Sequence, residues 1–383
     1  MIYLDNNATT CLAPEVRAAM LPFLDETWGN PSGQNALARH ARESVLAARR
    51  AVADALRAAP AEVVFTSCAT ESNHAAILGA LAHFSGRRRH IVASTVEHPS
   101  TLKLLQALEK QGVEITLVGV DEHGMLDLAA LDAAITHDTA LVSVMWANNE
   151  TGVVFPVEEI AHLARLHGAL FHTDAVQAVG RLPLDWRESS IDLLSFSGHK
   201  LHAPKGVGAL LLRKGLDLPP LLHGSQERNR RGGTENVMGI AGLGAAMPLI
   251  DTTQQSRLQA LRDLLEQRIT AALPFAGVNG AGAPRTANTG NICFGELNGE
   301  ALLLQLERAG VVAASGSACQ SGGTQPSHVL GAMGIDGARA KASLRFSLSR
   351  YTTVEEIETA ASIVVAAARE LAAQHLEQPA LSA

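Results

Sequence analysis

The chain has 383 residues, 47% hydrophobic and 18% charged, which predicts a globular protein of about two domains and excludes a disordered one. Its formal net charge of −7 argues against broad nucleic-acid binding, although residues 227–231 form one local basic cluster. The first residues lack a signal-peptide pattern and no run reaches the ~18 apolar residues of a membrane span, so we expect a cytoplasmic protein without membrane partners.

Apolar, β-branched runs alternate with amphipathic segments through the first two thirds of the chain. Strand patterns begin at residues 62, 90, 114, 139, 169, 192 and 206, and helix patterns begin at residues 71, 99 and 156. This βα alternation predicts an α/β fold with a mainly parallel sheet covered by helices.

After about residue 250 the pattern changes. A long helix pattern from residue 255 is followed by strand patterns near 288 and 341, with a helix pattern from residue 299 between them. We therefore predict a large domain over residues 15–255. A smaller α+β domain would comprise residues 1–14 and 256–383, with the N-terminal segment lending it a strand.

Ligands of open α/β sheets bind beyond the carboxyl ends of the strands, and two of the first strand ends carry polar residues. Ala69 and Thr70 open a helix whose N–H groups and hydroxyl can hold a phosphate, although they equally fit an ordinary helix cap. His98 precedes Pro99, which holds it extended, but a lone histidine is more often structural.

Two later strand ends carry a carboxylate and an amine. Asp174, followed by Gln177, is either a buried carboxylate that needs a partner or a helix cap. Lys200 follows the strand at 192, where burial makes an amine nucleophilic, whereas most lysines lie on the surface. A phosphate cradle, an imidazole, a carboxylate and an amine together are what pyridoxal phosphate (PLP) requires.

These residues lie in longer runs that resemble the cysteine desulfurases of the NifS/IscS group, most closely NifS, among the class V aminotransferase-like PLP enzymes. The resemblance covers nearly the whole chain and implies the type I fold of PLP-dependent transferases. It is carried by YLDNNATT, WGNPS, FTSCATES, VEHPS, MWANNETG, FHTDAVQAVG, SGHKLHAPKGVG, RGGTEN, SGSACQSG and LRFSLSRYTT.

The resemblance implies a role for each matching residue. Lys200 bonds PLP, Asp174 pairs with the pyridine nitrogen and Gln177 donates to the ring oxygen. Asn149 and Arg345 bind the substrate carboxylate, which a guanidinium can grip with two hydrogen bonds. The other implied cofactor contacts are Ala69, Thr70, the stacking His98, Asn149, Ser197, His199 and, from the second subunit of a homodimer, Thr234.

The resemblance also implies the reaction, which is removal of sulfur from L-cysteine to give L-alanine. Lys200 or His98 would move the α-proton, and the Cys319 thiolate would attack the substrate sulfur and become a persulfide. Glycines and serines around Cys319 would let the thiol move, and we expect it to rest away from Lys200 without substrate.

An iron–sulfur scaffold or another acceptor protein would take the sulfur, in a nitrogenase-type role in nitrogen fixation. We expect no stable metal site, with Cys319 at most a transient iron–sulfur ligand. Two alternatives keep PLP: selenocysteine lyase or another β-elimination with Cys319 as a bystander, and sulfur donation for tRNA or DNA modification.

A non-enzymatic metal or iron–sulfur carrier built on the four cysteines and 15 histidines is a further alternative, against which their spacing argues. We expect Cys68 and Cys293 to be packing residues, while Cys11 has no evident partner. The stretch before Gln226 is one residue shorter than the family pattern, which affects the expected geometry near Thr234.

Overall fold

The computed structural model describes residues 1–316 and 326–377. Its strands are β1 (Ile2–Tyr3), β2 (Val63–Thr66), β3 (His90–Ser94), β4 (Glu114–Val118), β5 (Thr139–Ser143), β6 (Leu170–Asp174), β7 (Leu193–Ser197), β8 (Gly208–Leu212), β9 (Ala276–Val278), β10 (Thr289–Phe294), β11 (Val311–Val312), β12 (Ala314–Ser315) and β13 (Ser343–Ser347).

The helices connect and cover these strands. They are α1 (Pro14–Met20), α2 (Pro22–Asp25), α3 (Ala36–Leu56), α4 (Ala69–His83), α5 (Pro99–Glu109), α6 (Leu128–Ala134), α7 (Val157–Leu166), α8 (Val237–Ala246), α9 (Gln255–Ala272), α10 (Gly299–Arg308), α11 (His328–Ala332), α12 (Gly337–Lys341) and α13 (Val354–Glu377). Within the described ranges, no helix is both long and apolar enough to cross a membrane.

The central sheet has the strand order β2-β8-β7-β6-β5-β3-β4. Neighbours from β7 to β4 are parallel, whereas β8 runs antiparallel to both β7 and β2. Strand β8 reverses because it follows β7 without a crossover helix, which a parallel connection would need. The predicted α/β fold with a mainly parallel sheet is confirmed, with β8 as the exception.

A smaller sheet has the order β12-β13-β10-β9 and is antiparallel throughout. Its core is separate from the cores of the central sheet and includes Leu265 of α9, Phe294 of β10 and Val364 of α13. Leu4 belongs to the same core, and the neighbouring β1 pairs in parallel with β11. The N-terminal segment therefore packs with this second unit, while the domain boundaries themselves stay a prediction.

The stretch after Gln226 contains three consecutive non-glycine residues with left-handed backbone. Glu227, Arg228 and Asn229 have φ values of 47°, 58° and 64°, a conformation that L-residues adopt at a cost. The Glu227 carboxylate is buried and accepts two hydrogen bonds from Arg49, at 2.7 and 2.5 Å, and one from the Phe65 N–H at 2.8 Å. This ion pair holds the left-handed stretch against the end of β2.

Replacing Arg49 with Met should lower the free energy of unfolding by about 3 kcal/mol, because it leaves the buried Glu227 carboxylate without its cation. The matched control is Arg57→Met. Arg57 pairs with Asp185 at 2.6 Å, but its side chain is 57% exposed, so the loss should stay below about 1 kcal/mol. Urea denaturation followed by circular dichroism measures the loss of stability in both variants. Equal losses would contradict the conclusion that the buried Arg49–Glu227 ion pair holds this stretch.

Candidate active site

A cavity of about 170 Å³ opens at the carboxyl ends of the parallel strands. It is lined by the predicted cofactor residues Ala69, Thr70, His98, Asn149, Asp174, Gln177, Ser197, His199 and Lys200. The lining also contains Asn7, Cys68, Ser100, Met145, Ala147 and Val176, to which the sequence analysis assigned no role in a site. Strand ends that are far apart in sequence therefore converge in space, as the parallel topology requires.

Lys200 ends the single helical turn that follows β7. Its amine donates hydrogen bonds to the backbone carbonyls of Asn7 and Ala8, the latter at 2.6 Å. Both carbonyls belong to the N-terminal segment, so that segment forms one side of the lysine's surroundings. The amine is thereby held at a fixed position on the cavity wall.

Asp174 is the last residue of β6 and is 6% exposed. One carboxylate oxygen accepts a hydrogen bond from the Asn73 side chain at 2.7 Å, and the other accepts one from the Val176 N–H at 3.0 Å. These neutral donors orient the carboxylate without neutralising it, so it can pair with a cationic group in the cavity. The sequence did not indicate a role for Asn73, because this residue lies inside the helical pattern of α4.

His98 caps α5, and its Nδ1 accepts a hydrogen bond from the Ser100 N–H at 3.1 Å. Because a backbone N–H can only donate, the neutral imidazole carries its proton on Nε2. Burial lowers the pKa of His98, against the raising effect of Asp174, and the nearby Lys200 adds to the lowering. His98 is therefore a neutral ring at pH 7.

The end of the cavity near α4 offers hydrogen-bond donors for an anion. The first turn of α4 starts at Ala69, and its N-cap residue, Cys68, makes no side-chain cap. The Ser197 hydroxyl is buried and has no hydrogen-bond partner. Burial lowers the pKa of His199 to about 4, so this ring too is neutral at pH 7. Helix N–H groups and an unsatisfied hydroxyl suit a phosphate group.

The orientation of the Gln177 amide is decided by Arg181. Arg181 donates a hydrogen bond at 2.6 Å to the Gln177 side chain, and a guanidinium cannot accept, so the contacted atom is the amide oxygen. The Gln177 NH₂ group consequently donates to the Asn7 carbonyl at 3.1 Å and is the group available to the cavity. Burial lowers the pKa of Arg181 to about 10, which leaves it a cation at pH 7.

Arg345 lies on β13 and is 1% exposed. Its guanidinium donates to the Asp5 carboxylate at 2.6 Å and to the Asn149 backbone carbonyl at 3.1 Å, while its Nε is buried without a hydrogen-bond partner. The structure thus brings the two predicted substrate residues into contact. It also places Asp5 on the same guanidinium, an ion pair that links residues 340 positions apart and that the sequence analysis missed.

Thr234 lines a different cavity, together with Glu227 and Arg231, so this single chain does not bring it to Lys200. Its assignment to the partner subunit of a dimer stays a prediction. Cys319, its expected resting position and its predicted role as a transient iron–sulfur ligand all fall outside the described residues. Within the part of the chain that the structure describes, no group of three or more histidine, cysteine, aspartate or glutamate side chains could hold a metal ion.

The remaining cysteines differ in their surroundings. Cys293 is buried in β10 and Cys68 lines the Lys200 cavity. Cys11 is exposed, and its sulfur lies 3.7 Å from Nδ1 of His202, a partner that the sequence did not indicate.

The chain is similar in sequence and in fold to known proteins. Residues 2–359 match the family described as aminotransferase class-V. "Cysteine desulfurase 2" of Trichormus variabilis is 53% identical over 94% of this chain and 90% of its own length. "Cysteine desulfurase NifS" of Azotobacter vinelandii is 49% identical over 93% and 90%. The solved structure of a "NifS-like protein" superposes with a TM-score of 0.89 at 34% identity, covering 97% of this chain and 100% of that one.

These matches confirm the resemblance and the fold that the sequence predicted. The class-V family and its cysteine desulfurases depend on PLP, and a cavity with a lysine, a carboxylate and an anion-binding end lies where such enzymes need one. The chain belongs to the class-V aminotransferase family and, within it, to the cysteine desulfurases.

Proposed function

We propose that this cysteine desulfurase bonds PLP through Lys200 and transfers the sulfur of L-cysteine to Cys319, releasing L-alanine. The observation that carries the proposal is the convergence of Lys200, Asp174, His98 and the first turn of α4 in one cavity. No single one of these residues is specific to the reaction, but the set has the composition that PLP chemistry needs.

The residues present fit the cofactor. The unsatisfied Ser197 hydroxyl, the first-turn N–H groups at Ala69 and Thr70, and His199 would hold the phosphate. Asp174 would pair with the protonated pyridine nitrogen and Gln177 would donate to the ring oxygen through its NH₂ group. When bound, PLP supplies an electron-withdrawing ring that stabilises negative charge at the substrate α-carbon.

The proton at the substrate α-carbon needs an amine or imidazole that can accept it. His98 already uses Nδ1 to accept from the Ser100 N–H and carries its proton on Nε2. The Lys200 amine would be the better candidate for the base, and His98 would keep the stacking role. Arg345 and Asn149 would orient the substrate carboxylate, which would take the place of Asp5 on the guanidinium.

Sulfur transfer to Cys319 exchanges one covalent bond of the substrate sulfur for another. The Cys319 thiolate forms a bond to the substrate sulfur, and the bond between that sulfur and the substrate β-carbon breaks. The electron pair of the broken bond stays on carbon, which takes up a proton to become the methyl group of L-alanine. The product on the enzyme is a persulfide, and an acceptor protein receives its outer sulfur.

Replacing Ser197 with Ala should weaken PLP binding about tenfold, or ~1.4 kcal/mol, because one phosphate donor is lost. The matched control is Thr173→Val. Thr173 also carries a buried hydroxyl without a partner, but it does not line the cavity. Titration of the cofactor-free protein with PLP, followed by absorbance, measures both affinities. An equal change in the two variants would show that the Ser197 hydroxyl does not contact the phosphate.

Replacing Cys319 with Ser should lower alanine formation from L-cysteine by roughly 100-fold or more, because serine cannot accept the sulfur. The visible spectrum of bound PLP should be unchanged. Cys11→Ser is the control, since Cys11 is an exposed thiol outside the cavity, and it should keep activity within about twofold. Undiminished alanine release by Cys319→Ser would contradict the persulfide mechanism and favour the alternative of a lyase with Cys319 as a bystander.

The proposal extends to a homodimer in the cytoplasm whose second subunit supplies Thr234 to the phosphate. It also extends to a sulfur acceptor of the iron–sulfur scaffold type, with nitrogen fixation as the process served and tRNA or DNA modification as alternative destinations. The location of Thr234 in a separate cavity of this chain supports a role at another subunit's site. Charge and composition, with a net charge of −7, support a protein acceptor over nucleic acid.

Combining the inactive variant Lys200→Ala with Thr234→Ala, which should bind PLP more weakly, should restore one site with wild-type PLP affinity if the site is shared between subunits. In a purified mixed dimer, one site lacks both residues and the other has both, so about half of the fully active signal is expected at limiting PLP. Alanine formation after co-expression and tandem-tag purification measures it. The assignment of Thr234 to the partner subunit would be contradicted if the purified mixed dimer showed no restored activity. An active, PLP-loaded monomer in a sedimentation experiment would contradict it as well.

A further inference from the structure

Glu150 is a buried carboxylate that the reaction as described above does not use. It is 4% exposed and follows Asn149 in the turn after β5. Its backbone N–H donates to the Asn148 side chain at 2.9 Å, and its carbonyl accepts from the Asn291 side chain at 3.2 Å. The Ser327 hydroxyl donates to its carboxylate at 2.5 Å. Both the backbone and the side chain of Glu150 are therefore fixed.

Gly316 meets Glu150 at the same point. A Cβ atom at Gly316 would lie 2.2 Å from the Glu150 Oε2 and 3.3 Å from the Ser327 Cβ, so no side chain fits there. Gly316, Ser327 and the Glu150 carboxylate are thus in mutual contact. In the sequence, Cys319 lies between Gly316 and Ser327, the two described residues that meet at the Glu150 carboxylate.

Burial of the Glu150 carboxylate has a cost in desolvation free energy. Burial raises the pKa of Glu150 to about 7, while the Ser327 hydroxyl and the charge of Arg345 act in the opposite direction. An apolar residue could fill the space without this desolvation cost. Glu150 also adjoins Asn149, whose carbonyl is bound by Arg345. The contact with Gly316 and Ser327 therefore lies directly beside the proposed substrate-carboxylate site.

We propose that Glu150 is a positioning residue for the sulfur-transfer step, because its carboxylate fixes Gly316 and Ser327, on either side of Cys319, next to Asn149 and Arg345. The inference rests on the proposed function, in which Cys319 receives the sulfur. Glu150 itself touches neither the proposed cofactor site nor the sulfur. It acts by fixing where the cysteine-bearing stretch begins and ends.

The test compares Glu150→Ala and Glu150→Gln in the PLP-loaded enzyme. Glu150→Ala should lower kcat for alanine formation about tenfold while KM for L-cysteine changes less than about twofold, because substrate binding is kept and sulfur transfer is impaired. Alkylation of Cys319 by iodoacetamide without substrate, followed by peptide mass spectrometry, should become about threefold faster or more. Glu150→Gln should keep kcat within about threefold, since the amide oxygen can still accept from Ser327.

Two further variants keep the test decisive if Glu150→Ala fails to fold. Ser327→Ala removes the hydrogen bond to Glu150 and also the N-cap of α11, and it should lower kcat by about threefold, with KM unchanged. Gly316→Ala pushes a methyl group into the carboxylate, so its effect should be strongly non-additive with that of Glu150→Asp, whose shorter side chain leaves room for the methyl group. The inference would be overturned if Ser327→Ala kept the wild-type kcat and the wild-type rate of Cys319 alkylation, and if the effects of Gly316→Ala and Glu150→Asp were additive.

The matched control is Glu266→Ala. Glu266 is also a buried carboxylate beside a glycine, Gly290, but it pairs with Arg285 and lies on α9. Glu266→Ala should lower the stability of the protein without changing the rate of Cys319 alkylation. An equal change in the alkylation rate of Glu150→Ala and Glu266→Ala would overturn the inference. The Cys319→Ser variant distinguishes a failure of the proposed function from a failure of the role proposed for Glu150. Full activity in Cys319→Ser refutes the proposed function, whereas an inactive Cys319→Ser with a wild-type Glu150→Ala refutes only the role of Glu150.

Discussion

The backbone carbonyl of Asn7 accepts hydrogen bonds from both Lys200 and Gln177, and the geometry of the site depends on this oxygen. The Asn7 side chain reaches the other way, donating to the Thr289 hydroxyl at 2.9 Å and to the Asn149 carbonyl at 3.1 Å. One residue thus connects the lysine on the central sheet to β10 of the smaller sheet. Since buried amide groups are costly to leave unpaired, this arrangement strongly favours a single placement of the N-terminal segment.

Beneath the cavity the sheet contains a layer of neutral polar groups. His172, two residues before Asp174, lies between the hydroxyls of Ser143 and Ser195, at 2.8 and 2.9 Å. Burial lowers the pKa of His172 to about 3, so the ring stays neutral at any physiological pH. His172 consequently places no positive charge beneath Asp174, whose carboxylate lines the cavity. A protonated ring nitrogen is the partner that such a carboxylate suits.

The strand-end rule brought His98, Asp174 and Lys200 to one cavity because that rule is topological, whereas Asn149, Ser197 and His199 were named only from the family resemblance. Parallel strands end at one edge, so Asp174 and Lys200 had to approach each other once the βα alternation was recognised. The reversed direction of β8 was missed because its hydrophobic pattern is the same in either direction. Asp5 and Arg181 were missed for a different reason, since their importance comes from the partner they meet and not from their own segment. The placement of Glu150 depends on the same kind of distant contact, with Gly316 and Ser327.

The turn after β5 links the two sheets at several points. Asn149 offers its carbonyl to Arg345 of β13, and Glu150 contacts Gly316 and Ser327. Two residues later, a Cβ atom at Gly152 would lie 2.9 Å from the Thr289 side chain on β10, so the backbones approach closely there. Arg345 of β13 and Gly316, which follows β12, belong to the smaller sheet, whereas Ser327 precedes Val329 and Leu330 in the core of the central sheet. The turn after β5 therefore contacts residues of both sheets, while Lys200 and Asp174 lie at the strand ends of the central sheet.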